Sequence, residues 1–236
     1  MEENMTIEGK TEEFLSDIGM NLPQLFRYLG ERKSSLLNLD AASQIKFSEI
    51  YDKIENGNYD IQDKGRLLED LTSVLFQEGS GKIFNTRRNC RTSTNEIDLL
   101  LEWTDDARGL GLNTMYPCFG DSFICECKNY DGKVNVTYVG KFCSLLAVTE
   151  TRLGIMISWD GITGRGKWDS SQGLLKKVAL KQKIYVIALD KRDLKSIRDQ
   201  RTNIFALIHE KYLALKDDID YNQYIQTHEA EATLKV

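Results

Sequence analysis

The sequence predicts an α/β fold: a mixed β-sheet core flanked by helices, with a helical segment ahead of it. Three observations lead there. Apolar runs of strand length occur at residues 97–103, 122–128, 153–159 and 184–189. Stretches of helical periodicity precede the first of these runs and separate the last three. The first sixty residues carry helix-spaced apolar side chains. A helix, two or three meander strands and then alternating helices and strands make a sheet with helices packed on it.

Taken in order, residues 1–60 read as acidic and helical. Phe14, Leu15, Ile18, Leu22, Leu25, Phe26 and Leu29 recur at helical spacing, and Pro23 marks a break or a new start. Ile45, Phe47, Ile50, Tyr51 and Ile54 continue the pattern, and Asn56-Gly57-Asn58 is a turn signal that places a boundary. The segment is a candidate for packing on the core, for a homodimer contact or for docking a protein partner. Residues 61–216 form the expected core and 217–236 a polar, acidic tail that is expected to fray. Asp63 is the expected N-cap of a helix carrying Leu67, Leu68, Leu71, Val74, Leu75 and Phe76. Glu69 lies off its Leu68–Leu71–Leu75 stripe, either simply exposed or aimed at a site. Ile83-Phe84-Asn85 is a candidate first strand. Residues 104–121, with Gly109, Gly111 and Pro117, read as a loop, and Asn129-Tyr130-Asp131-Gly132 as a turn. Helices are expected at 139–149, from 169 or 170 to 182, at 194–198 and at 202–215.

At 236 residues, with 41% apolar and 28% charged residues, the chain has the composition of a soluble globular protein. No apolar run reaches membrane-spanning length, and Met1-Glu2-Glu3-Asn4 lacks the features of a signal peptide. Five cysteines without CxxC spacing point to reduced thiols and a cytoplasmic location. His209 and His228 are too few for a zinc or histidine-based centre. The net charge of −5 argues against a wholly basic nucleic-acid binder, yet residues 1–60 hold 12 acids and 6 bases, leaving 24 acids and 25 bases for the remainder. Lys82, Arg87, Arg88 and Arg91 form one basic cluster without an acid, and Arg165 and Lys167 begin a second. Each cluster is either a solvated face or a phosphate-contacting surface.

The chemistry-bearing residues stand where core strands should be apolar. Asp98 interrupts Ile97-Asp98-Leu99-Leu100-Leu101, and Glu126 and Lys128 follow Phe123-Ile124-Cys125. Residues i and i+2 of a strand share a face, so Glu126 and Lys128 lie on one side while Cys125 and Cys127 lie on the other. If the Asp98 strand pairs beside this one, two carboxylates and an ammonium converge. Such a set suits a hard divalent cation with a cationic group beside the reacting water.

These residues, with Lys64-Gly65-Arg66-Leu67-Leu68-Glu69 before them and Val139-Gly140-Lys141-Phe142 and Gly154-Ile155-Met156-Ile157-Ser158 after them, resemble the PD-(D/E)xK nuclease superfamily, in particular its Mrr-like restriction endonuclease branch. The likeness runs from about residue 64 to 190. It departs from the family at the proline, replaced by Ile97, and at the glycine-rich approach to the aspartate, replaced by Thr92-Ser93-Thr94-Asn95-Glu96. The resemblance implies a restriction-endonuclease-like core and Mg²⁺-dependent hydrolysis (with Mn²⁺ as substitute) of DNA phosphodiesters in restriction of foreign DNA. It implies Asp98, Glu126, Lys128 and Glu69 as catalytic residues. The metal would be held by Asp98, Glu126 and the backbone carbonyl of Cys127. Lys82, Arg87, Arg88, Arg91, Lys141, Arg165 and Lys167 are the candidate nucleic-acid contacts. The alternatives are a nuclease-fold subunit that binds nucleic acid or a protein without cutting alone, and an RNase or junction nuclease on the same core.

Overall fold

The computed structural model describes residues 7–78, 83–91, 96–129, 132–164 and 170–217. Five strands form one mixed sheet in chain order: β1 (Phe84–Arg91), β2 (Glu96–Trp103), β3 (Ser122–Cys127), β4 (Leu153–Ile157) and β5 (Tyr185–Leu189). The first three are antiparallel neighbours. β3, β4 and β5 run parallel, with Glu126 beside Met156 and Cys127 beside Ile157. The change from antiparallel to parallel at β3 follows from the connections. The β1–β2 and β2–β3 links reverse the chain, whereas helices α7 (Val136–Val148) and α8 (Ser170–Gln182) carry it back to the starting edge before β4 and β5. This is the mixed α/β sheet that the element pattern predicts.

Two apolar layers sandwich the sheet. On one face Leu99, Leu101, Phe123, Cys125, Ile155, Ile157, Ile187 and Leu189 meet α3 (Ala41–Asn56), α4 (Ile61–Ser73), α9 (Lys191–Arg198) and α10 (Ile204–Lys216). On the other, Ile124, Met156 and Val186 meet α7 and α8 through Val139, Phe142, Leu146, Leu175 and Val178. Alternate strand residues feed opposite layers, the direct consequence of the two-residue strand repeat. Gly154 on β4 lets α7 approach closely. A Cβ there would stand 2.5 Å from Leu146 Cδ1 and 2.7 Å from Phe142 Cε1.

Helix α3 belongs to the main core through Phe47, Tyr51 and Ile54. Ahead of it, α1 (Ile7–Asp17) and α2 (Leu22–Ser35) bring Pro23 to the second position of α2, where its missing N–H is harmless. α3 stops at Asn56, with Gly57 as C-cap in extended backbone.

Three local expectations are corrected. The N-cap of α4 is Asp60, whose carboxylate accepts the N–H of Asp63 at 2.8 Å, so the helix starts one turn before the Asp63 N-cap read from sequence. The stretch 104–121 is not an open loop. It holds α5 (Asp105–Gly109), α6 (Leu112–Met115) and a 3₁₀ turn, Pro117–Phe119, which bury Ala107, Leu112 and Phe119. Beyond α4 the chain continues as a π-helical turn, Val74–Glu78, that buries Val74, Leu75 and Phe76. Among the described residues no helix is long and apolar enough to cross a membrane.

Candidate active site

The antiparallel pairing of β2 with β3 ends at Leu99 opposite Cys125. One residue further along each strand stand Asp98 and Glu126, at the carboxyl end of β3. Glu126 follows four residues of packed strand, Ser122 to Cys125, and is held in place by its pairing with Met156 of buried β4. Lys128 is fixed just past the strand, where its N–H donates to the Ile157 carbonyl at 2.8 Å.

The three side chains meet. The Lys128 ammonium forms an ion pair with Glu126 Oε1 and lies 3.8 Å from Asp98 Oδ2. Their side chains are mostly shielded, at 24% exposure for Lys128, 19% for Asp98 and 12% for Glu126, so the ion pairs are less screened than surface pairs. Asp98 Oδ2 also accepts the backbone N–H of Cys127 at 2.8 Å, which ties the β2 carboxylate to the middle of the acid-x-lysine segment. A lysine between two acids lowers the repulsion that would otherwise push them apart.

The cysteines of this strand face away. Cys125 is buried in the main core, and the Cys127 thiol contacts Thr72 Oγ1 of α4 at 3.2 Å. Burial pushes the Cys127 thiol up to about 12 and the Cys125 thiol well above its ordinary value. Neither supplies a thiolate, and residue 127 offers the site its backbone alone. No sequence signal pointed to Thr72, which sits in the stripe of an ordinary amphipathic helix.

Glu69, on α4, belongs to the same electrostatic neighbourhood. The residue reaches solvent, but partial burial of its carboxyl and, next, the negative charge of Asp98 raise its pKa above the usual carboxylate value; Arg88 and Lys128 act in the opposite direction. Arg88 Nη2 also donates to the Glu69 backbone carbonyl at 3.4 Å.

The basic residues divide. Arg87 and Arg88 are consecutive in β1 and project to opposite faces. Arg88 points toward α4 and the site, while Arg87 pairs with Glu102 at 3.6 Å. The pair therefore offers two separate contacts and not one patch. Lys141 lies on the exposed side of α7, its ammonium 5.5 Å from the centre of the Tyr138 ring. Arg91 ends β1. Lys82, Arg165 and Lys167 lie outside the described residues, as do Tyr130, Trp168, the Thr92-Ser93-Thr94-Asn95 approach and the tail from residue 218 on. Trp159 packs against Tyr51 with ring centres 4.9 Å apart.

Among the described residues no three His, Cys, Asp or Glu side chains form a ready-made metal cage. The donors that do converge are the carboxylates of Asp98 and Glu126. Two carboxylate oxygens fit a hard divalent ion of the Mg²⁺ type, which keeps several of its waters; they do not fit a structural zinc, which takes four nitrogen or sulfur ligands. No protein-family model, curated protein or solved structure matches the chain.

Proposed function

We propose that the chain is a metal-dependent nuclease that hydrolyses phosphodiester bonds of DNA, acting in defence against foreign DNA inside the cytoplasm. The observation that carries this reading is the Lys128 ammonium set against both Asp98 and Glu126 at the carboxyl end of β3. Open α/β sheets place their chemistry at the carboxyl ends of strands, and this trio stands at that edge.

Asp98 and Glu126, with the Cys127 carbonyl, would hold Mg²⁺ or Mn²⁺. Such an ion, when bound, neutralises phosphate charge and makes an attacking water more acidic. The protein's own part follows from the geometry. Asp98 and Glu126 present oxygens from two different strands, and the bond from Cys127 N–H to Asp98 fixes their spacing. Lys128, anchored through its N–H to β4, holds a positive charge where the scissile phosphate gains negative charge. Glu69, kept basic by its raised pKa, orients water at the rim of the site. Arg88, exposed beside Glu69, supplies a phosphate contact, and Lys141 a second on α7.

The test is cleavage of supercoiled plasmid, linear duplex, single-stranded DNA and RNA with Mg²⁺, Mn²⁺ or EDTA, comparing wild type with Glu126→Ala. Metal-dependent cutting of DNA that disappears in the variant is the expected result. Cutting of RNA alone would move the substrate. No cutting of any form would leave a subunit that binds without cleaving.

A further inference from the structure

We propose that the outer face of α7 and α8 binds DNA beside the site, and that Tyr138 stacks on an unpaired base there. The inference deepens the nuclease reading and rests on it for the chemistry. It names the substrate class as DNA that is single-stranded or locally unpaired near the cut.

The charge of this face carries the first half. The two helices pack side by side on one face of the sheet. Together, Val136–Val148 and Ser170–Gln182 hold four lysines, Lys141, Lys176, Lys177 and Lys181, and no acid. The chain as a whole has a net charge of −5, and α3, α4, α9 and α10 on the other face each carry acids. Lys141, Lys177 and Lys181 are exposed, as is Lys133 just ahead of α7. Glu150 comes only after α7 has ended, at the far edge of the sheet. A local positive surface on an acidic protein attracts a polyanion that the rest of the molecule repels.

Placement carries the second half. Val134 bridges Ile162 in parallel beyond the ends of β3 and β4. The helix that follows Val134, α7, therefore starts at the carboxyl edge of the sheet, where Lys128 stands, and runs back toward the start of β4. Glu126 lies on this same face, because it alternates with Ile124 and pairs with Met156, both in the α7–α8 layer. Tyr138, in the first turn of α7, is 37% exposed, and the Lys141 ammonium stands 5.5 Å from its ring centre. Ring and ammonium, one turn apart at the edge that holds the acids, offer a base and a neighbouring phosphate adjacent contacts. A base inside a duplex is covered on both faces by its neighbours, so only an unpaired or splayed base can use the ring.

The experiment measures binding of fluorescently labelled single-stranded and duplex DNA of one sequence over a range of salt, with EDTA present so that nothing is cut. Wild type is expected to bind the single strand more tightly. Tyr138→Leu is expected to weaken single-strand binding about 5- to 100-fold, the loss of one stacked base, and to leave duplex binding unchanged. Tyr138→Phe, which keeps the ring, is expected to bind as wild type. Lys177→Glu with Lys181→Glu is expected to weaken binding of both forms and flatten its salt dependence. Unchanged single-strand binding in Tyr138→Leu, an equal loss for the duplex, or unchanged binding by the double variant would overturn the proposal. So would a wild type that binds neither form. If wild type cuts no DNA with Mg²⁺ or Mn²⁺ while this binding pattern holds, the nuclease reading falls and the surface stands.

Discussion

The two ends of β3 are built from opposite chemistry. At the start, Phe123 lies in an aromatic cluster, 5.7 Å from Phe76, 5.2 Å from Phe84 and 5.0 Å from Phe119, while Trp103 donates its Nε1–H to Gly120 O at 3.0 Å. At the finish, three residues later, Glu126 and Lys128 share a mostly shielded ion pair with Asp98 close by. The packed end gains stability from apolar area and ring geometry. The charged end gains little, because shielding charges from water offsets their mutual attraction. A strand that gives up burial at one end after securing it at the other has the pattern expected of a strand that carries a site, which is the reading proposed for this end.

Lys128→Ala is expected to lower cleavage by about 10²–10³-fold, the loss typical of removing one group that stabilises developing charge, while circular dichroism shows a folded protein. Wild-type cutting in this variant would remove Lys128 from the site. At the packed end the effect is on stability. Phe123→Ala, emptying a fully buried ring position, is expected to lower unfolding free energy by about 3–5 kcal/mol in denaturant titration. A loss below about 1 kcal/mol would mean that the cluster does not hold this end of the sheet.

A smaller effect sharpens the contrast through pH. Burial and the charge of Asp98 raise the Glu69 pKa above its ordinary 4.5, so ionising Glu69 opposes folding. Its stabilising share is complete below that ordinary value and is lost as pH rises through the raised one. Glu69→Gln should therefore raise the melting temperature at pH 7 and leave it nearly unchanged at pH 4. An equal shift at both values would show that the effect is not electrostatic.

The charged end was legible in the sequence because acids interrupt apolar runs, and because the strand repeat places Glu126 and Lys128 on one side and Cys125 and Cys127 on the other. The mixed sheet was legible from the order of its runs. Other features depended on contacts that no local pattern encodes. The placement of Glu69 within the field of Asp98 depends on how α4 crosses the sheet. The separation of Arg87 from Arg88 follows from strand geometry once β1 is seen to extend to Arg91. The short helices within 104–121 escaped because four or five residues are too few to show a period. The cap at Asp60 was hidden by Asp63, an equally good capping type three residues later.

The metal site is tested most directly by Mn²⁺ titration of isotope-labelled protein, followed by paramagnetic broadening of its NMR signals. Broadening is expected to centre on Asp98, Leu99, Glu126, Cys127 and Lys128, to spare the Phe123–Phe119 end and to be absent in Glu126→Ala. Broadening centred elsewhere, or unchanged in Glu126→Ala, would contradict the claim that these two carboxylates form a metal site.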